Sequence, residues 1–183
     1  AAEWERVDLC GLVSRSVAGY QTLYAERRLS LDLSEEEMPL RCAPDLLVQA
    51  LDKLVENALS LTAPDDEVSV SLRRAAAGYE LAVRNAGSRL PDDFQDRLFD
   101  SLVSHRSEAG KPHLGLGLYV VRLVAERHGG RAGAADLDQL PGGRARRAGR
   151  GGADARRVLG QTALHVQREG DRLRGPHLRP HDR

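Results

Sequence analysis

Lysine is almost missing from this chain. Only Lys53 and Lys111 occur, and every other fixed positive charge is Arg. With abundant Ala and Gly, that bias suggests a GC-rich coding sequence. Cysteine is equally scarce: Cys10 and Cys42 are the two present, and neither sits in a C-x-x-C pair. No cluster has metal-ligand spacing, which excludes a cysteine-based zinc site. The expected state is two half-buried thiols in a reducing cytoplasm. No apolar run reaches the roughly 18 residues that read as a membrane helix. The opening Ala-Ala-Glu-Trp-Glu-Arg lacks the basic region and apolar stretch of a signal peptide. A P-loop is excluded too, because no G-K-[ST] follows any Gly-rich stretch.

Net charge is absent as well, with 27 basic and 27 acidic residues in 183. That balance hides a split. From Leu140 to Arg183 there are eleven Arg against four acids, an excess of seven positive charges. The first 139 residues therefore carry seven net negative charges. Such a domain has no electrostatic reason to bind nucleic acid, and none is expected as a partner. The length suits one domain with a real core.

Residues Trp4 to Leu9 read as a short strand or entry segment, with Asp8 as N-cap of the helix that follows. Leu9, Leu12, Val13, Val17, Tyr20 and Leu23 recur at helical spacing, predicting a helix to about Arg27. Leu29, Leu31 and Leu33 alternate with polar residues as in a half-buried strand, and Met38 to Cys42 reads as another. Pro44 and Asp45 open a helix with a broad apolar face from Leu46 to Leu59. Val68, Val70 and Leu72, then Tyr79, Leu81 and Val83, predict a hairpin around Ala76-Ala77-Gly78. Pro91 opens a short helix through Phe94, Leu98 and Phe99, and Ser101 to His113 reads as a loop. Leu116 to Arg127 is apolar on a helical period, and His128-Gly129-Gly130 is a stop signal. Arg131 to Leu137 reads as one more strand. This order predicts an α+β two-layer sandwich: a mixed sheet with helices on one face.

Three segments carry chemistry. Lys53 and Asn57 lie four apart on one face of the second helix. Asn is mildly unfavourable inside a helix, and its amide oxygen is a suitable Mg²⁺ ligand. An exposed edge of an amphipathic helix would place the same pair. Arg84-Asn85-Ala86-Gly87 leaves a strand into a turn, where Asn and Gly are common in any case. His113-Leu114-Gly115-Leu116-Gly117-Leu118 is a loop passing into a helix through two glycines. Bare glycine lets phosphate oxygens approach, and a helix start supplies unpaired N–H groups. A loop meeting a helix is the plain alternative.

In order and spacing these segments resemble the N, G1 and G2 boxes of the histidine-kinase ATP-binding domain. Phe94-Gln95-Asp96-Arg97-Leu98-Phe99-Asp100 resembles the F box between them. The resemblance spans Trp4 to Leu137 and is most specific over Leu114–Val121 with Glu126-Arg127-His128-Gly129-Gly130. It implies the Bergerat sandwich shared with gyrase, mismatch-repair ATPases and a heat-shock chaperone, with ATP and Mg²⁺ as cofactors. Residue by residue, Asn57 matches the N-box Asn that holds Mg²⁺ on the ATP phosphates. Asn85 stands where the family usually has the Asp that accepts the adenine amino proton, and Gly87 matches the glycine behind it. Gly115 and Gly117, flanked by Leu114, Leu116 and Leu118, match the G2 segment. Ser101 to His113 would be the ATP lid, with Arg106, Lys111 and His113 as candidate phosphate contacts or simply solvated charges.

The departures matter. Lys53 stands where the first N-box Asn, or a catalytic Glu in the wider superfamily, is expected. A charged Lys cannot take a proton from water, which disfavours gyrase-like hydrolysis. Lys53 could pair with a phosphate or stay solvated, and Glu56 is the candidate base or a surface acid. Asn85 keeps an acceptor but loses charge, so the adenine contact should weaken by about 1 kcal/mol. Arg89 replaces the second G1 glycine and Ser60 a common base. A degenerate nucleotide-binding module and an anti-sigma-type serine kinase remain the alternatives to a phosphotransfer enzyme.

No H-E-[LI]-[RK] motif occurs, and the first His is His105. The resemblance therefore places the phosphorylated His on a separate dimerisation hairpin outside these residues. It implies a homodimeric, inner-membrane-anchored bacterial sensor whose cytoplasmic part this is, with a response regulator as partner. The resemblance gives a domain over 1–138. Residues 139–183, rich in Arg and Gly and devoid of Phe, Tyr and Trp, are expected to pack no core. A disordered tail, or non-native sequence read in a shifted frame, is the expectation there; an Arg-rich tail for acidic lipid or nucleic acid is the alternative.

Overall fold

A computed structural model describes residues 2–87, 99, 116–136 and 158–167. The first element is strand β1 (Glu5–Asp8), which runs straight into helix α1 (Leu9–Leu23). Asp8 is the cap that makes this junction. Its carboxylate accepts the N–H groups of Cys10 at 3.2 Å and Gly11 at 2.9 Å. It also accepts the Met38 N–H at 2.8 Å, which ties in strand β3 (Pro39–Cys42), the antiparallel partner of β1. These bonds, Met38's first, hold the Asp8 carboxyl below the usual range.

α1 ends at Leu23, short of the expected Arg27. Arg27 instead serves a different helix, its guanidinium donating to the carbonyls of Leu59 at 3.3 Å and Thr62 at 2.8 Å. Those groups close helix α2 (Pro44–Leu61), whose last carbonyls have no partner within the helix. The Tyr20 hydroxyl donates to Asp52 and joins α1 to α2.

The main sheet runs β2–β4–β5–β7–β6, where β2 is Arg28–Leu33, β4 Glu67–Ala75, β5 Gly78–Gly87, β6 Arg131–Asp136 and β7 Val158–Gln167. β2 and β4 are parallel, and the other pairs are antiparallel, so the sheet is mixed as expected. Leu33, Leu72, Leu81, Leu164 and Ala132 are successive cross-strand partners, one row across all five strands. Residues of α1, α2, helix α3 (Leu116–Arg127) and this row form one core. Both cysteines are fully buried rather than half-buried, and burial pushes the Cys42 thiol up to about 11.

β7 corrects the expected boundary at 138. It lies between β5 and β6, with Leu164 fully buried and Thr162, Ala163 and Val166 nearly so. Leu164 and Val166 alternate with His165 and Gln167, so the strand period is present inside the Arg- and Gly-rich stretch. The sheet and its core thus include residues from 158–167, beyond the expected boundary. The rest of 139–183, the expected short helix after Pro91 and the lid lie outside the described residues; of the F box only Phe99 is described, buried in the core.

Two glycines admit β7. A Cβ on Gly78 would fall 1.9 Å from the Val166 carbonyl oxygen, and one on Gly130 would fall 1.8 Å from that of His165. Gly129, at φ +71°, ends α3. Its N–H bonds the Glu126 carbonyl at 3.0 Å and that of Gly130 the Ala125 carbonyl at 2.9 Å, a Schellman stop that bears out His128-Gly129-Gly130 as the end signal.

Candidate functional site

α2 and α3 pack side by side, and α2 also packs on β5. This places Asn57, Asn85 and Gly117 on one side of the sheet. One point at which the helices approach is Gly117, in the first turn of α3. A Cβ built there would lie 3.6 Å from Lys53 Cδ, an ordinary van der Waals distance. The aliphatic stem of Lys53 therefore runs along the glycine. Asn57, one turn further along α2, is half-buried on the same face. Among the described residues its side-chain amide has no hydrogen-bond partner, while its carbonyl accepts the Ser60 hydroxyl at 2.8 Å.

Lys53 is not free. Its ammonium pairs with Glu56 at 2.8 Å, with the side chains 38% and 53% exposed. A pair this exposed contributes little to stability. One oxygen of the Glu56 carboxylate is thereby engaged by a cation.

Asn85 is on the helix-facing side of β5, in the series Tyr79, Leu81, Val83, Asn85 that alternates into the core, and is only 8% exposed. Its amide N–H reaches the Ala86 carbonyl at 3.5 Å, the outer limit of a hydrogen bond. Among the described residues its amide oxygen receives no donor. The residue across from Asn85 in β7 is Gly160. Gly87 is the last residue of β5, opposite Val158.

Gly117 needs no bare Cα for packing: there is room for a methyl group. Gly in a helix costs about 1 kcal/mol relative to Ala. Among the described residues packing gives no reason for this glycine, whereas an approaching ligand would. Leu118 is buried and anchors α3 in the core, and Leu116 is 44% exposed at the helix start. Arg106, Lys111, His113, Leu114 and Gly115 lie outside the described residues.

The pair that sequence reasoning could not see is His128 with Ala43. Ala43 precedes α2 and has no side chain to cap it, yet its N–H is satisfied by His128 Nε2 at 3.1 Å. The two residues are 85 positions apart, and the sequence marks His128 only as part of a helix stop.

The arrangement matches known proteins. The family model described as histidine kinase-, DNA gyrase B- and HSP90-like ATPase matches residues 42–155, more than half of the chain. The sensor protein DivL of Caulobacter vibrioides is 38% identical over 102 residues, covering 56% of this chain and 13% of DivL. The sensor protein CreC of Escherichia coli is 30% identical over 124 residues, covering 68% of this chain and 26% of CreC. The chain thus spans a minor part of these relatives. The solved catalytic domain of histidine kinase ThkA superposes with a TM-score of 0.67 at 16% identity, over 90% of this chain and 96% of that one. ThkA in complex with response regulator protein TrrA also superposes, with a TM-score of 0.63 at 11% identity, over 90% of this chain and 42% of that one. On the matched residues, the chain belongs to the histidine kinase-, DNA gyrase B- and HSP90-like ATPase family.

Proposed function

We propose that this chain is the ATP-binding catalytic domain of a two-component sensor histidine kinase. The observation that carries the reading is the approach of Gly117 to Lys53, one turn from Asn57. It puts the N-terminal end of α3, with its unpaired N–H groups, beside the amide of α2. A triphosphate lying there would meet backbone N–H donors from α3 and the Asn57 oxygen. Adenine would extend toward Asn85, whose oxygen can accept its amino proton.

Mg²⁺ fits this donor set. Among the described residues no group of three or more His, Cys, Asp or Glu could hold a metal. Mg²⁺ needs no such cage: it binds through one or two protein oxygens together with substrate phosphates. Asn57 would hold it, and the ion would neutralise phosphate charge. Arg106, Lys111 and His113 would contact phosphate from the lid.

In the reaction, a histidine nitrogen attacks the γ-phosphorus. The N–P bond forms, the bond to the β–γ bridging oxygen breaks, ADP leaves and the phosphoryl later passes to an Asp of a response regulator. Positioning and charge neutralisation carry most of such a step. The acceptor His is on a separate dimerisation hairpin, so the working protein is a homodimer and this domain is its cytoplasmic part beneath an inner-membrane anchor. No helix among the described residues is long and apolar enough to cross a membrane. The sensor proteins DivL and CreC, the histidine kinase ThkA and its complex with TrrA support this reading. The Lys53–Glu56 ion pair favours a second one, a nucleotide-sensing module without transfer, because it engages the nearest candidate base.

Titration with a fluorescent ATP analogue, with and without Mg²⁺, tests the proposal. Asn57→Ala should weaken Mg²⁺-dependent binding by about tenfold or more. Equal binding in variant and parent contradicts it. Acid-labile phosphate on an added hairpin separates histidine transfer from serine transfer and from no transfer.

A further inference from the structure

One imidazole forms a hydrogen-bonded link between the start of α2 and the end of α3, the helices that carry Asn57 and Gly117. His128 is the first residue after α3 and is 5% exposed. Its Nδ1 lies 2.7 Å from the Val124 carbonyl, and its Nε2 lies 3.1 Å from the Ala43 nitrogen. A carbonyl only accepts and a backbone N–H only donates. The tautomer is therefore fixed: Nδ1 carries the proton and donates to Val124, and Nε2 accepts from Ala43. Only the neutral ring can do both. The ring packs on Trp4 with centroids 4.9 Å apart, and the His128 carbonyl accepts the Gln167 N–H at 3.2 Å.

We propose that His128 is a positioning residue for the nucleotide site: its neutral ring couples the start of α2 to the last turn of α3 and so sets the distance between the Asn57 face and Gly117. The inference rests on the reading of that cleft as the triphosphate site. The coupling is direct, because Ala43 is the residue before Pro44, where α2 begins, and Val124 is within α3. The N-terminus of α2 has no side-chain cap bond of its own, and the imidazole satisfies the N–H of its cap residue.

The coupling should respond to acid. Burial drives the His128 pKa below its ordinary 6.5, and Arg127 adds to this, against the opposing pull of the Val124 bond. The neighbours from other elements are uncharged: Trp4, the Ala43 N–H and Gln167. In the unfolded chain the ring takes up a proton near 6.5, earlier than in the fold. The contribution of the neutral ring is thus complete above that value and is lost as pH falls through the lower folded one. Protonation puts a donor against the Ala43 N–H and breaks the coupling.

The test uses the full chain, with a fluorescent ATP analogue and Mg²⁺ at several pH values. His128→Ala should bind about tenfold more weakly at neutral pH, and His128→Gln, whose amide can donate to one partner and accept from the other, within about twofold of the parent. Parent affinity relative to His128→Gln should fall on acidification. A folded His128→Ala with parental affinity, or a ratio flat with pH, overturns the proposal; should the Ala variant not fold, the Gln comparison decides. Nitrogen NMR on nucleotide-free protein should show the Nδ1–H tautomer and a slowly exchanging Ala43 amide, and the other tautomer overturns the proposal even if nucleotide binding itself proves absent. Failure of the parent to bind nucleotide is the separate failure of the cleft assignment.

Discussion

α2 and β7 bury apolar faces in the same core, but they are held by different means. α2 makes its own backbone hydrogen bonds and presents seven buried side chains on one stripe. Its two ends are served from outside, by His128 at the start and Arg27 at the finish. β7 makes none of its own bonds. It borrows its ladder from β5 on one side and β6 on the other, and passes over two glycines that leave it room. A helix damaged at one residue keeps most of its bonds, whereas a central strand that loosens releases both neighbours. The element nearest the chemistry is thus robust, and the one far from it in sequence is the sheet's dependency.

The largest effect should come from matched truncations in the two regions. Leu54 in α2 and Leu164 in β7 are both fully buried. Each Leu→Ala change should cost about 2–5 kcal/mol in urea unfolding. The comparison sharpens in amide exchange. β6 pairs only with β7 among the described strands, so Leu164→Ala should speed exchange in β6 and Leu54→Ala should not. A cost for Leu164→Ala below about 0.5 kcal/mol would remove β7 from the core.

A smaller effect is expected where β7 crosses α3's end. Gly130→Ala sets a methyl group against the His165 backbone carbonyl, which cannot swing away, and should destabilise by about 1–3 kcal/mol. Gly133→Ala is the control. Among the described residues nothing lies within 4 Å of its added carbon, so urea denaturation should show a change within about 0.5 kcal/mol.

A change in stability smaller than that at Gly130, and the most telling in function, is expected for Gly117→Ala. The added methyl group meets Lys53 at 3.6 Å, a comfortable contact. Thermal unfolding should show stabilisation by about 0.5–1 kcal/mol. ATP analogue binding should weaken at the same time. Opposite signs in the two measurements mark a glycine retained for a ligand, and matching signs would make it a residue of no functional consequence.

Much of this was legible in the order of residues. α2 and α3 show helical spacing across several turns, and the β4–β5 hairpin shows strict alternation on both arms. The Asn57 and Gly117 segments stood out because an amide in a helix and a glycine at a helix start lack a local purpose. β7 was hidden by its surroundings. Its alternation covers only Leu164 to Gln167, and the flanking Arg and Gly make the whole stretch look coreless. Arg27 was absorbed into the apolar stripe of α1, although it serves the far end of α2. The His128–Ala43 bond spans 85 positions, and no local pattern encodes a partner that distant.

The central claim is that Asn57 and Gly117 face one triphosphate. Adding Mn²⁺·ATP, with Mn²⁺ standing in for Mg²⁺ as a hard, oxygen-seeking ion, to isotope-labelled protein tests it directly. The paramagnetic ion should broaden the backbone signals of Asn57 and Gly117 together, and leave those of β2 at the far edge of the sheet sharp. Broadening of one without the other, or of neither, would contradict the account.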